Sequence, residues 1–250
     1  MVLPFVTSIP HCAARVPPEL AGDLALSSEE VAESVDLGTA EVFGDLPVVA
    51  CLQAQWSRLV VDLNRDPAER GEKGVVALRD YFDRPVFRPG REPDEAEIRR
   101  RVERYHRPYH QALRQALSRP EVQALLDCHS LDGVGPAGAP DPGRRRSHVV
   151  LGDAMGQSCT PAFRELVRAA FTAQGLTVSF NRPYAGGYIT RHYGLRLRAQ
   201  GRQALQIELN KDLFLDSSGR LDPRGLERTR RKVHAALAQV AAALLRGDQV

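Results

Sequence analysis

Apolar residues along this chain fall into short runs separated by amphipathic stretches, and that alternation predicts an α/β fold. Runs at 5–9, 48–50, 58–63 (RLVVDL), 124–130 (ALLDCHS), 148–151, 176–180 and 205–209 have strand length, and most stop at Pro, Gly or a polar residue. Between them, Ser27 with Glu30 makes a capping-box pattern that predicts a helix over 28–43, with Asp36 on it. Asp94 and Glu97 open a long amphipathic helix through Ile98, Val102, Tyr105, Tyr109, Leu113 and Leu117, which Pro108 should kink or divide. Thr160 and Pro161 form an N-cap and N1 pair for a helix ending near Gly175, and Asp222 with Pro223 starts a last helix through Leu226, Val233, Leu237, Val240 and Leu244.

Three stretches carry no hydrophobic period. Residues 66–92, rich in charge, Gly and Pro, read as the flank of an active site, and residues 132–146 as a mobile loop. Residues 181–194 (NRPYAGGYITRHYG) read as a substrate-binding lid. There Gly186 and Gly187 permit unusual backbone angles or close approach to a ligand beside Tyr184, Tyr188 and His192. No internal repeat or composition break marks a boundary, so one domain is expected over 1–250.

Composition narrows the class. A chain of 250 residues with 43% hydrophobic and 26% charged content is ordinary for a soluble globular protein. No segment approaches the roughly 18 to 20 apolar residues of a membrane span. The N-terminus lacks the basic start and long apolar core of a signal peptide, which predicts a cytoplasmic protein. Cys12, Cys51, Cys128 and Cys159 are scattered without a CxxC pair, against a disulfide framework or a zinc finger. The net charge of +3 and the arginine clusters at 99–101 and 144–146, with no interleaved aromatics, predict solvated faces rather than a nucleic-acid partner.

The candidate chemistry centres on His129, delivered toward the C-terminal end of an apolar strand, and on His11, just past the first strand. Open α/β sheets bind ligands in the crevice beyond their carboxyl ends. Two imidazoles and a carboxylate make a catalytic zinc site with one open position, and Asp36 is the candidate carboxylate, its alternative being an exposed helix residue. In ALQIELN, Leu205, Ile207 and Leu209 take one face while Gln206 and Glu208 share the other. A carboxylate in a buried strand needs a partner or a task, so Glu208 is either a general base or half of an ion pair with an arginine. Arg58, Asn64 and Arg65 bracket one run, and Arg191 follows the Gly-Gly pair. Guanidinium forks suit a substrate carboxylate or an oxyanion, the alternative being surface roles. Cys128 is a poor nucleophile candidate, because neighbours on a strand point to opposite faces.

Five blocks, SIPHCA (8–13), SRLVVDLNR (57–65), LLDCHS (125–130), NRPYAGGYITRHYG (181–194) and QIELNKDLFLD (206–216), together resemble the N-formylglutamate amidohydrolase family over nearly the whole chain. The resemblance implies a mixed, mainly parallel sheet flanked by helices, like the zinc carboxypeptidase or phosphorylase-hydrolase-like fold. It also implies metal-dependent hydrolysis of an N-acyl amino acid, typically N-formylglutamate to formate and glutamate, in amino acid degradation and histidine catabolism. His11 matches the family's PHSG histidine, His129 its D-x-HS histidine, and Asp36 the first acidic residue of its D-x-x-x-D segment. These three would hold zinc or another divalent metal. Asn64 and Arg65 resemble the carboxypeptidase pair that holds a substrate carboxylate, and Glu208 is placed like the carboxypeptidase general base. Arg58, Tyr188, Arg191 and His192 complete the expected substrate contacts, the partner being a small N-acyl amino acid rather than nucleic acid or membrane. The chain departs from the pattern at PHCA for PHSG, at Ala40 in place of the second acidic residue, and at Ala14, where the carboxypeptidase HxxE has its Glu. A peptidase or cell-wall amidase on the same scaffold, and a non-catalytic module for acidic metabolites, are the competing readings.

Overall fold

The computed structural model describes residues 2–247. In chain order its elements are β1 (Leu3–Ile9), α1 (Pro18–Ala21), α2 (Ser28–Ala32), α3 (Thr39–Phe43), β2 (Val48–Gln53), α4 (Glu95–Arg101), α5 (Arg107–Leu117), β3 (Ala124–Leu131), β4 (Val149–Gly152), α6 (Pro161–Ala173), β5 (Val178–Phe180), α7 (Tyr188–Arg198), β6 (Gln203–Asn210) and α8 (Pro223–Leu245). The strands form one six-stranded sheet in the order β2-β1-β3-β6-β4-β5. Strands β2, β1, β3 and β6 run parallel, while β4 is antiparallel to β6 and pairs in parallel with β5. The sheet is therefore mixed and mostly parallel, with helices on both faces, as expected. Among the described residues no helix is long and apolar enough to cross a membrane.

Side-chain alternation divides each central strand between two cores. Phe5 and Ile9 of β1, Leu126 and Cys128 of β3, and Leu205, Ile207 and Leu209 of β6 pack on one face with residues of α3, α6 and α8. On the opposite face Val6, Leu125 and Ala204 pack under Leu113 and Leu117 of α5 and Ile189 and Leu197 of α7. Further along the same three strands that face turns polar, carrying Ser8, Asp127, His129, Gln206 and Glu208, all buried. From β1 the chain crosses to β2 on one side and later to β3 on the other, so the crevice beyond the carboxyl ends of β1 and β3 lies at a switch in strand order. A third cluster, including Leu24, Val31, Leu59, Val61, Leu63, Val75 and Phe87, belongs to segments that precede α5 and roof this end of the sheet.

Three local expectations are corrected. The helix expected over 28–43 is two short helices, and Asp36 sits in the connection between them. The break falls at Gly38, whose φ is +81° and where a Cβ would lie 2.4 Å from the Phe214 ring. The capping box at its start is present, with Ser27 Oγ accepting from Glu30 N–H and the Glu30 carboxylate accepting from Ser27 N–H. RLVVDL is not a strand but a series of turns, with Leu59, Val61 and Leu63 buried in the third cluster instead of in the sheet. The helix expected through Pro108 is interrupted just before the proline. A π-helical turn, Val102–His106, joins α4 to α5 just ahead of it, where the missing proline N–H leaves the ordinary ladder incomplete. Residues 181–187 are loop, but Tyr188 onward is α7 rather than lid.

The Gly- and Pro-rich stretch at 132–146 is tied down at its ends by Arg146 and by Lys211, which pairs with Asp132 at 2.9 Å. Arg146 donates to both carboxylate oxygens of Asp141, at 2.6 and 3.0 Å, and to the Asp132 carbonyl at 3.0 Å.

Candidate active site

The polar half of the sheet face opens into a cavity of about 510 Å³, whose walls include His11, Asp36, Arg58, Asn64, Arg191 and Glu208. Backbone geometry brings the first two together. Asp36 N–H donates to the His11 carbonyl at 3.0 Å, which pins the α2–α3 connection over the end of β1. His129 lies within β3, and its imidazole meets that of His11 at a ring-centroid distance of 4.9 Å. Asp36 Oδ2 sits 2.9 Å from His129 Nδ1 and 3.4 Å from His11 Nδ1.

The outward nitrogens of both rings are already taken. His11 Nε2–H donates to Asp62 Oδ1 at 2.7 Å, and the other oxygen of Asp62 accepts from Arg58 Nη2 at 2.6 Å. His129 Nε2 lies 3.2 Å from Asp127 Oδ1 and 3.0 Å from the Asn64 amide nitrogen. That amide has a fixed orientation, because Asn64 Oδ1 accepts from Ile189 N–H at 2.7 Å while Nδ2 donates to Asp127 Oδ2 at 3.1 Å. Thr190 Oγ1 and Ser8 Oγ also donate to the Asp127 carboxylate, at 3.1 and 3.4 Å. Each imidazole is thus fixed from behind by a buried carboxylate, and each presents Nδ1 to the cavity.

One atom of this arrangement is unsatisfied: His11 Nδ1 is buried and has no hydrogen-bond partner. Buried polar atoms without partners are rare and call for a cause. Ligand atoms of His11, Asp36 and His129 lie within 4.8 Å of one another, a spacing compatible with one shared cation. Two imidazole nitrogens and one carboxylate oxygen are also a donor set that suits zinc with a position left open. Burial alone would lower His129, but the Asp127 charge and the hydrogen bonds its ring donates to Asp127 and Asp36 hold its pKa well above the ordinary histidine value. Burial alone would raise Asp36, but the neighbouring His11 and His129 rings, the second of them hydrogen-bonded to it, hold it far below the usual carboxylate range.

Glu208 faces His129 across the β3–β6 pair, as Gln206 faces Asp127. Burial pushes the Glu208 carboxyl up to about 7. Gln206 steadies it, donating from Nε2 to Glu208 Oε1 at 2.9 Å while its own Oε1 accepts from Gly187 N–H at 2.8 Å. Only glycine fits there, since a Cβ on Gly187 would stand 2.4 Å from the Asn64 amide nitrogen.

The remaining expected residues divide into groups. Arg58 and Asn64 line the cavity with their polar ends committed to Asp62 and to Asp127 with Ile189. Arg65 lines it with only a 3.6 Å approach to Glu69. Arg191 lines it too and, among the described residues, has no side-chain hydrogen bond or ion pair. Tyr188 and His192 are not in the cavity wall; their rings stack on each other at 4.8 Å, and the Tyr188 ring stands edge-on to His110 at 5.5 Å. Cys128 lies in the core of the opposite face, and burial raises its thiol well above the ordinary value, which makes it inert. Sequence reasoning missed Asp62, Asp127 and Gln206. Asp127 and Gln206 sit two residues from His129 and Glu208 on their strands, so alternation was the available signal for them, whereas Asp62 lies in a turn and carried none.

Comparison with known proteins shows which family the chain is similar to. The model of the N-formylglutamate amidohydrolase family matches residues 3–215. N-formylglutamate deformylase of Pseudomonas putida is 28% identical over 240 residues, covering 86% of this chain and 83% of the relative. Its counterpart in Pseudomonas aeruginosa is 28% identical over 236 residues with the same coverage. The crystal structure of N-formylglutamate amidohydrolase from Ralstonia eutropha JMP134 superposes with a TM-score of 0.81 at 27% identity, covering 98% of this chain and 95% of that one. A gene product of Agrobacterium tumefaciens shares the fold with a TM-score of 0.68 at 21% identity, covering 97% of this chain and 92% of its own. With most of its length matched in sequence and nearly all of it in fold, the chain belongs to the N-formylglutamate amidohydrolase family.

Proposed function

We propose that this protein hydrolyses the amide bond of an N-acyl amino acid, with N-formyl-L-glutamate as its substrate, and that it does so with a divalent metal, zinc being the best fit. The observation that carries the reading is the orphaned Nδ1 of His11, aimed with Asp36 and His129 at one point beside Glu208. His11, Asp36 and His129 would hold the ion through Nδ1, a carboxylate oxygen and Nδ1. An ion there would polarise the acyl oxygen and acidify water to a pKa of about 7.

The chain's own residues account for the rest. Glu208 takes a proton from the attacking water as its oxygen bonds to the formyl carbon. It then returns that proton to the departing nitrogen as the C–N bond breaks, giving formate and glutamate. A carboxyl pushed up to about 7 is matched to both directions of that transfer. Arg58, held by Asp62, is placed to stabilise the developing oxyanion, and Arg191 and Arg65 offer guanidinium forks to the substrate's carboxylates. Asn64 is assigned to positioning His129 and Asp127, since its amide is occupied on both ends. Tyr188 and His192 are assigned no direct contact. A cytoplasmic setting is part of this reading, as is a place in amino acid degradation, the latter implied by the family resemblance.

The test is a substrate panel. Formate release from N-formyl-L-glutamate should exceed product release from N-acetylglutamate, N-formylated neutral amino acids, dipeptides and muropeptides. Preference for a peptide or muropeptide would replace this reading with the peptidase or amidase one. Tight carboxylate binding without turnover in the metal-loaded protein would replace it with a binding module.

A further inference from the structure

The turn segment 58–66 is the part of the site that the fold supports least directly. It is neither helix nor strand, so its backbone carbonyls cannot be satisfied by a ladder of its own. Yet it supplies the outer partner of both imidazoles, Asp62 for His11 and Asn64 for His129 with Asp127. Its three consecutive carbonyls are each met from outside. Leu63 O accepts from His110 Nε2–H at 2.9 Å, Asn64 O from Tyr188 N–H at 3.1 Å, and Arg65 O from His106 Nε2–H at 3.0 Å.

The two histidines are built for this task. They lie where the π-helical turn passes into α5, are both buried, and stack with ring centroids 4.1 Å apart. His110 is fixed as one tautomer. With Nε2–H given to Leu63 O, its Nδ1 accepts from the Tyr193 hydroxyl at 2.9 Å. Burial lowers the pKa of both rings, so each is neutral and acts as a donor rather than as a charge. Neither is in the cavity wall.

We infer that His106 and His110 are positioning residues for the reaction: they clamp the backbone on either side of Asn64 and so hold Asp62 and Asn64 against the outward nitrogens of His11 and His129. The inference rests on the proposed function for its consequence in catalysis, and on the hydrogen bonds alone for its consequence in the segment. Looser outer partners let the two imidazoles rotate, which weakens cation binding and slows the chemical step without touching the substrate carboxylate.

The test compares His106→Phe, which keeps ring volume and loses the donor, with His106→Gln, whose amide can replace it. His106 is used because His110→Phe also removes the Nδ1 acceptor of the Tyr193 hydroxyl. Three readings are taken on the full chain: hydrogen exchange at the Asn64, Tyr188 and Ile189 amides, cobalt(II) affinity and visible spectrum, and kcat and KM for N-formylglutamate. In His106→Phe the exchange protection should fall and the cobalt(II) dissociation constant should rise about tenfold. Its spectrum should shift, and kcat should drop with KM nearly constant; His106→Gln should restore all four. Unchanged protection and affinity in a folded His106→Phe overturns the inference, as does an equal loss in both variants. If the wild-type chain takes up no cobalt(II), the metal reading fails separately, and the exchange at Ile189 alone decides whether the clamp exists.

Discussion

His129 and Glu208 are register partners on adjacent parallel strands, so the buried imidazole and the buried carboxylate emerge from one face of the sheet at the same level. Strand alternation makes this a rigid relationship. Moving either residue by one position would turn it into the core of the opposite face.

Glu208→Gln should therefore remove the proton carrier while leaving the hydrogen bond to Gln206 replaceable. The expected result is a loss of about 10²–10⁴ in kcat with KM and metal content near wild type. Steady-state kinetics with metal analysis on the same preparation checks it.

The pH profile follows from the same group. Glu208 must be deprotonated to accept a proton, and burial raises its pKa to about 7, so kcat/KM should climb through an acid limb as pH rises. A bound dication favours the carboxylate and draws that limb below the ion-free value. The limb should disappear from the residual activity of Glu208→Gln.

Asp62→Asn and Asp127→Asn should each weaken divalent-metal binding by about 10–100-fold, because each removes the carboxylate behind one imidazole. Competition titration against a chelator measures this directly. Each also loses acceptor strength toward its other donors, Asn64 and Thr190 for Asp127 and Arg58 and the Asn64 N–H for Asp62.

Arg191→Ala should raise KM for N-formylglutamate by about 10–100-fold, the scale of one charge-assisted hydrogen bond, with kcat changed much less. Arg191 has no other partner among the described residues, so its removal should leave the melting temperature in place. A matched loss for substrates lacking the second carboxylate would assign it to the carboxylate common to both.

Stability should fall on acidification through His110. Its folded pKa is lowered to about 3 by burial, against an ordinary value of 6.5, so the folded state resists its protonation. The contribution is complete above about 6.5 and is lost as pH falls toward 3, at up to about 1.4 kcal/mol per pH unit. Urea unfolding at several pH values should show a flatter acid slope in His110→Gln than in the wild type.

How much of this was legible in the sequence varies with the kind of signal. Period-two alternation placed Glu208 with Gln206 opposite Leu205, Ile207 and Leu209, because a strand's faces are fixed by backbone geometry alone. The caps at Ser27, Thr160 and Asp222 were equally readable, since each is a local hydrogen bond to a nearby backbone N–H. Asp36 was named as the candidate carboxylate but set on a continuous helix. The Gly38 break depends on the approach of Phe214, far along the chain, which no local pattern records. RLVVDL read as a strand because apolar alternation cannot distinguish a sheet from turns buried in a separate cluster. The roles of Asp62, His106 and His110 were hidden for a related reason. They act through contacts with segments more than 40 positions distant.

The most direct test of the central claim is the metal dependence of formate release. Purified protein should carry about one equivalent of divalent metal per chain, lose both the ion and N-formylglutamate hydrolysis on chelation, and recover both when zinc is returned, with His11→Ala unable to recover. Undiminished formate release from protein shown to be metal-free, or full activity in His11→Ala, would contradict the account.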